Sequence, residues 1–186
     1  MNPFSEIKEI KTQTSSEIGN TTKAFEKSEG DAEKPRHITT INEGLEGKTY
    51  PETDVKYKKH VFKLNGEKVE GVFPQFESQF ETRLPKELWN ASDVEQFKYC
   101  TKKLQQQIER DPEFAKKFSP RQLEQIKAGA PRISGLTWHH TEICGKMQLV
   151  SSEIHEKCRH TGGRSVWGGG ADRRMIWTLN GIIRLI

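Results

Sequence analysis

The chain has 186 residues, of which 32% are hydrophobic and 30% charged, with a formal net charge of +4. That length holds one ordinary domain and a tail, and so polar a balance excludes a chain gathered wholly around one core. The mild positive excess permits a polyanionic partner without demanding one. Cys100, Cys144 and Cys158 are an odd number with no CxxC pair, which argues against a disulfide framework and for reduced thiols. The first twenty residues carry Glu6, Lys8, Glu9, Lys11 and Glu17 and no apolar run, so no signal peptide is expected. No segment is long and apolar enough to span a membrane.

Residues 1–48 read as a disordered linker or arm. They are rich in Ser, Thr, Glu, Lys and Asn, and bury too little apolar surface to offset chain entropy. A transient helix is expected at most near residues 5–11. Order is expected from about Tyr50, in a domain spanning 49–170.

Residues 60–64 and 68–73 alternate β-formers around Asn65, Gly66 and Glu67, a strong hairpin signal. Pro74 is expected to stop the second strand. Pro85 suggests a short helical turn through Trp89. Ser92 and Glu95 form a capping box for a helix to about Arg110, with Val94, Phe97, Tyr99 or Cys100, Leu104 and Ile108 as its buried stripe. The Asp111-Pro112 and Ser119-Pro120 pairs predict two more short helices, the second ending before Gly129.

Residues 136–140 read as a strand, 142–145 as a turn and 147–150 as the returning strand. Ser151 or Ser152 then caps a helix carrying Glu153, Ile154, His155 and Cys158, ended by Gly162 and Gly163. Residues 171–186 are apolar, too short to span a bilayer, and of unclear role. The fold class is therefore α+β: a helical region plus a β-hairpin, then a C-terminal ββα unit over 134–163.

Six histidines occur in the chain, and four of them, His139, His140, His155 and His160, fall within 135–163. Three histidines on a strand and helix can hold one divalent transition metal and leave a position open. Neighbours on a strand point to opposite sides, so one of His139 and His140 serves as a ligand and the other is available for proton transfer. His155 and His160 are five residues apart, roughly 140° around a continuous helix. They share an ion only if the helix ends near Arg159.

The run Trp138-His139-His140, the segment 145–150 (Gly-Lys-Met-Gln-Leu-Val), Glu153-Ile154-His155 and His160-Thr161-Gly162-Gly163 resembles the WHH/colicin-DNase-type nucleases. These belong to the HNH superfamily (His-Me finger, ββα-metal) and occur as C-terminal toxin domains of bacterial polymorphic toxins, including LXG-headed ones. The motif part covers about 134–170, and 76–130 resembles what precedes it there. The resemblance implies His139, His155 and His160 as metal ligands and His140 as the base that activates water. It implies a metal-dependent, sequence-nonspecific endonuclease acting on DNA, with zinc, nickel, magnesium or manganese as the ion and a cognate immunity protein as partner. Such a toxin is cytoplasmic when made, leaves by a specialised route and acts in a target cell's cytoplasm. The rival readings are an RNase (tRNase) with the same site, and a non-catalytic metal-stabilised interaction module or decayed toxin remnant.

Two departures stand beside the resemblance. The position of the superfamily's central asparagine is Lys146, which leaves open what orients His140. Four residues separate His155 from His160, where three is commoner. Lys146, Lys157, Arg159 and Arg164 surround the site and are equally phosphate contacts or a solvated face. Glu142 and Glu153 are equally partners behind the imidazoles or solvated side chains. Trp138 reads as core. Cys144 and Cys158 read as buried thiols rather than zinc ligands.

Overall fold

The computed structural model describes residues 34–170 and the backbone of 175–178 and 181–184. The expected helix at 5–11 lies outside the described residues. The fold is α+β, and among the described residues there are two three-stranded sheets and one two-stranded sheet.

The first sheet is built on the expected hairpin. Strands β2 (Lys56–Leu64) and β3 (Glu67–Gln75) pair antiparallel from Lys56↔Gln75 to Leu64↔Glu67. Asn65 and Gly66 both have positive φ, 52° and 88°, as a tight hairpin turn with the matching twist requires. The second strand does not stop at Pro74, contrary to expectation. Its partner Tyr57 turns its backbone the other way, donating to Lys48 O and accepting from Gly47 N–H, so no ladder bond is asked of the proline.

Order also begins earlier than Tyr50. Strand β1 (Arg36–His37) pairs parallel with β3, and the Arg36 guanidinium grips Glu67 with two bonds of 2.6 and 2.9 Å. The Thr40 hydroxyl donates to Val72 O at 2.8 Å, and a 3-10 turn follows at Glu43–Leu45. Composition hid this because few apolar side chains anchor the segment; hydrogen bonds to the hairpin do.

The second sheet has the order β4-β6-β5, from β4 (Phe80–Arg83), β5 (Leu136–His140) and β6 (Lys146–Ser151). Strand β4 was not anticipated. It has four residues, two of them charged, and its partner lies 65 or so positions away, so no local pattern announces it. Pro85 precedes a 3-10 turn at Lys86–Leu88.

Helix α1 (Asp93–Arg110) starts at the Ser92–Glu95 capping box, as expected. Its buried face is set slightly differently. Val94 is 51% exposed, whereas Gln96 and Thr101 are fully buried with Cys100 and Leu104. Helices α2 (Pro112–Ala115) and α3 (Pro120–Lys127) follow, capped by Asp111 and Ser119. Helix α4 (Ser152–Lys157) is capped by Ser151, and α5 (Gly163–Val166) is one short turn. The backbone of β7 (Met175–Thr178) and β8 (Gly181–Arg184) forms an antiparallel pair.

The second sheet divides two apolar clusters. Trp138, Met147 and Leu149 face Cys100, Leu104 and Ile126 of the helices and Phe118 of the turn between α2 and α3. Val150 faces Val55, Tyr57, Val72, Phe76 and Cys158 on the hairpin side. Trp138 is thus core, as read from sequence, and its indole N–H donates to Thr101 Oγ1 at 3.3 Å.

Candidate metal centre and the buried histidine beside it

Strand alternation sends His139 and His140 to opposite faces of β5. His139 goes to the side of α4 and the hairpin. Its Nδ1 lies 3.2 Å from Nε2 of His155 on α4. The helix ends at Lys157 with Cys158 as its C-cap, so His160 sits in an extended exit rather than a further helical turn. That satisfies the condition set by the five-residue spacing. His160 Nδ1 donates to Cys158 O at 2.6 Å, which presents its other nitrogen to the cluster. One nitrogen from each of His139, His155 and His160 lies within 4.8 Å of the other two. Among the described residues this is the one such grouping of metal-ligating side chains.

Phe76 forms the apolar wall, its ring centroid 4.9, 5.3 and 5.2 Å from those of His139, His155 and His160. Burial disfavours the imidazolium forms. It pushes His139 well below the usual histidine range, with the nearby His160, His155 and His140 adding to the effect. Burial, then His160, holds His155 down at about 4. Burial lowers His160 too, partly opposed by its bond to the Cys158 carbonyl. All three are therefore neutral at pH 7, the form in which imidazole binds a metal.

The geometry fits an ion. Ligands about 2.0–2.1 Å from a tetrahedral metal sit roughly 3.3 Å apart, close to the His139–His155 separation. A single shared proton could join two of the three nitrogens but not all three.

His140 goes to the other side of the strand and is buried against α1. Its Nε2 meets Gln96 Oε1 at 2.6 Å. The Gln96 amide is not free to flip: its NH2 donates to Leu88 O at 2.6 Å and Trp89 O at 2.9 Å. Gln96 therefore presents its oxygen, and His140 carries its proton on Nε2. Gln96 thus orients His140 from a helix 44 positions earlier in the chain. Phe97 and Trp167 pack on the ring, and Asp93 Oδ1 stands 3.9 Å from Nε2. A glutamine in the apolar register 96, 100, 104 of α1 was the sequence signal for this residue.

One cleft joins the two sides. It is lined by His139, His140, His155 and His160 with Asp93, Phe97 and Arg164. Arg164 Nη1 pairs with Asp93 Oδ2 at 3.0 Å on the cleft rim. The other charged candidates are placed elsewhere. Lys146 is bound to Glu81 at 2.9 Å on β4 and does not line the cleft. Arg159 is exposed, and its backbone carbonyl is held by Asn42 and Tyr57. Glu142 is not behind the cluster: it is buried and bound to His60 Nδ1. Glu153 is exposed and bound to Lys157 at 2.7 Å, so neither belongs to the imidazoles. Cys158 is buried, Cys144 is partly exposed, and both are free thiols outside the cluster.

Gly163 explains the end of the motif. A Cβ there would lie 1.9 Å from Thr141 O and 2.4 Å from Trp167 Nε1. Trp167 Nε1 donates to that same Thr141 carbonyl at 2.8 Å, one residue after His140.

A β-hairpin and the helix after it bring three imidazoles together beside a fourth, separately held one. The chain belongs to the family described as the DNase/tRNase domain of colicin-like bacteriocin, whose model matches residues 65–162. It is accordingly a nuclease toxin of the colicin-like kind. No curated protein and no solved structure matches the chain.

Proposed function

We propose that the domain hydrolyses DNA phosphodiester bonds without sequence specificity, using a divalent transition metal at His139, His155 and His160 and His140 as general base. The observation that carries this is the convergence of three neutral imidazole nitrogens within 4.8 Å, beside a fourth histidine held apart by Gln96. An ion held there would draw charge from the phosphate and the leaving oxygen. An all-nitrogen donor set suits zinc, nickel or cobalt better than magnesium, which prefers oxygen ligands. His140, held through Nε2 by Gln96, is the base that takes a proton from the attacking water. Arg164 on the rim attracts the backbone phosphates without reading bases.

The family description covers both DNases and tRNases, and the motif's resemblance to WHH-type nucleases favours DNA. Such an activity endangers the producing cell, so a cognate immunity protein is the expected partner, with release by a specialised route. Among the described residues no helix is long and apolar enough to cross a membrane.

Plasmid DNA and bulk tRNA are incubated with metal-stripped protein and a series of zinc, nickel, cobalt, manganese and magnesium salts. Metal-dependent DNA cleavage, lost in folded His140→Ala, is the expected result. Cleavage of tRNA alone would move the substrate to RNA. No cleavage of either with any metal, by protein that nevertheless binds zinc, would refute a catalytic role.

A further inference from the structure

The loop that carries His160 is held from a part of the chain that the family match does not reach. Three hydrogen bonds cross to it from residues 41–57. Asn42 Nδ2 donates to Arg159 O at 2.6 Å, and Tyr57 OH donates to the same carbonyl at 2.7 Å. Ile41 N–H donates to Thr161 Oγ1 at 2.9 Å. They bracket His160 on both sides.

This contact is built rather than incidental. Asn42 adopts a left-handed backbone, φ 65°, which asparagine tolerates better than most residues and which turns its side chain towards the loop. Tyr57 is fully buried, its ring stacked 6.1 Å from Tyr50, so its hydroxyl has a fixed place. Burial raises the phenol to about 12, and it stays a donor across the ordinary pH range. Helix α4 has already ended at Lys157, and no helical bond fixes His160. Both residues precede residue 65, where the family match begins.

We infer that Asn42 and Tyr57 are positioning residues of the metal centre, which set the third imidazole through the Arg159 carbonyl; the inference rests on the metal-site reading above. The chain before residue 65 is thus a working part of the site and not a spacer. Groups that orient ligands from behind typically change metal affinity 10–100-fold when removed. Both donors serve one carbonyl, so their effects overlap rather than multiply.

The test measures zinc and cobalt affinity by competition with a chelating dye, on full-length protein. Tyr57→Phe keeps the ring and Asn42→Asp keeps the backbone preference, while each removes a donor. Each is expected to weaken zinc about tenfold and to alter the visible absorption of the cobalt form. Val69→Ala, a core truncation elsewhere in the first sheet, is the control: it lowers the melting temperature of the metal-free protein and leaves affinity unchanged. Unchanged affinity in Tyr57→Phe and Asn42→Asp, or an equal loss in Val69→Ala, overturns the inference while the metal site stands. Absence of zinc binding by the unaltered protein overturns both.

Discussion

Gln96→Leu separates the support of His140 from the metal centre. The substitution keeps the side chain's bulk at a fully buried position and removes its polar end. Three hydrogen bonds disappear: two donated to Leu88 O and Trp89 O, and one accepted from His140. At a net worth of about 1 kcal/mol each, the loss is about 3 kcal/mol. Leu88 O keeps a bond from the Ala91 amide at 3.0 Å, so the penalty at that carbonyl falls at the low end. Urea unfolding followed by tryptophan fluorescence, run in chelator so that metal plays no part, reads this directly. Cleavage should fall at least tenfold as well, because the base no longer has a fixed tautomer or orientation, while zinc affinity stays as it was. A stability loss below about 1 kcal/mol with an unchanged cleavage rate would refute the assignment of Gln96 as the support of His140.

His140→Ala should lower cleavage by about 10²–10⁴-fold with zinc binding retained, checked by plasmid assay beside dye competition. Acid should destabilise the metal-free protein. His155 is held at about 4 against an ordinary 6.5, so between these values the unfolded chain binds a proton that the folded chain refuses. Stability is complete above about pH 6.5 and falls as pH drops towards 4, by up to about 3 kcal/mol from this residue alone, which unfolding curves at pH 7.5 and 4.5 would show. Gly163→Ala should cost more than about 3 kcal/mol, because the new methyl meets a backbone carbonyl that cannot swing aside. Stripping the metal should lower the melting temperature, and zinc at a hundred times its Kd should restore about 2.7 kcal/mol; no shift with any transition metal would count against the site.

What could be read from the sequence was whatever local spacing encodes. The Asn65-Gly66 turn, the Ser92 and Ser119 caps, and the β5–β6–α4 order were legible because each depends on neighbours within a few residues. The three-histidine convergence was legible too, down to the need for a helix end before His160. The supports were not. Gln96 and His140 are 44 positions apart, and Asn42 and Arg159 are 117 apart. Phe76 became a wall of the site only through the packing of the hairpin on β6. Glu142 misled because its nearness in sequence to His139 and His140 did not survive the turn, which swings it towards His60. Lys146 misled in the same way, since β4, invisible in the pattern, supplies Glu81 as its partner.

The proposed division of labour between two adjacent histidines raises a geometric problem, since a strand sends neighbours to opposite faces. Residues on the two faces of a sheet ordinarily cannot serve one cleft. The order β4-β6-β5 resolves it, because β5 is an edge strand. Among the described residues no strand pairs along its outer margin, and the cleft is lined by residues from both of its faces. Thr137 and His139 reach it from one face, Trp138 and His140 from the other. Helix α4 with the loop after it closes one side, and the start of α1 with Asp93 and Phe97 closes the other. On a central strand both margins would be paired, and the same His-His sequence would put its two imidazoles in separate compartments. The edge therefore has to stay uncovered by another strand, and helices, which cover the faces and leave the margin open, are the elements able to build the walls.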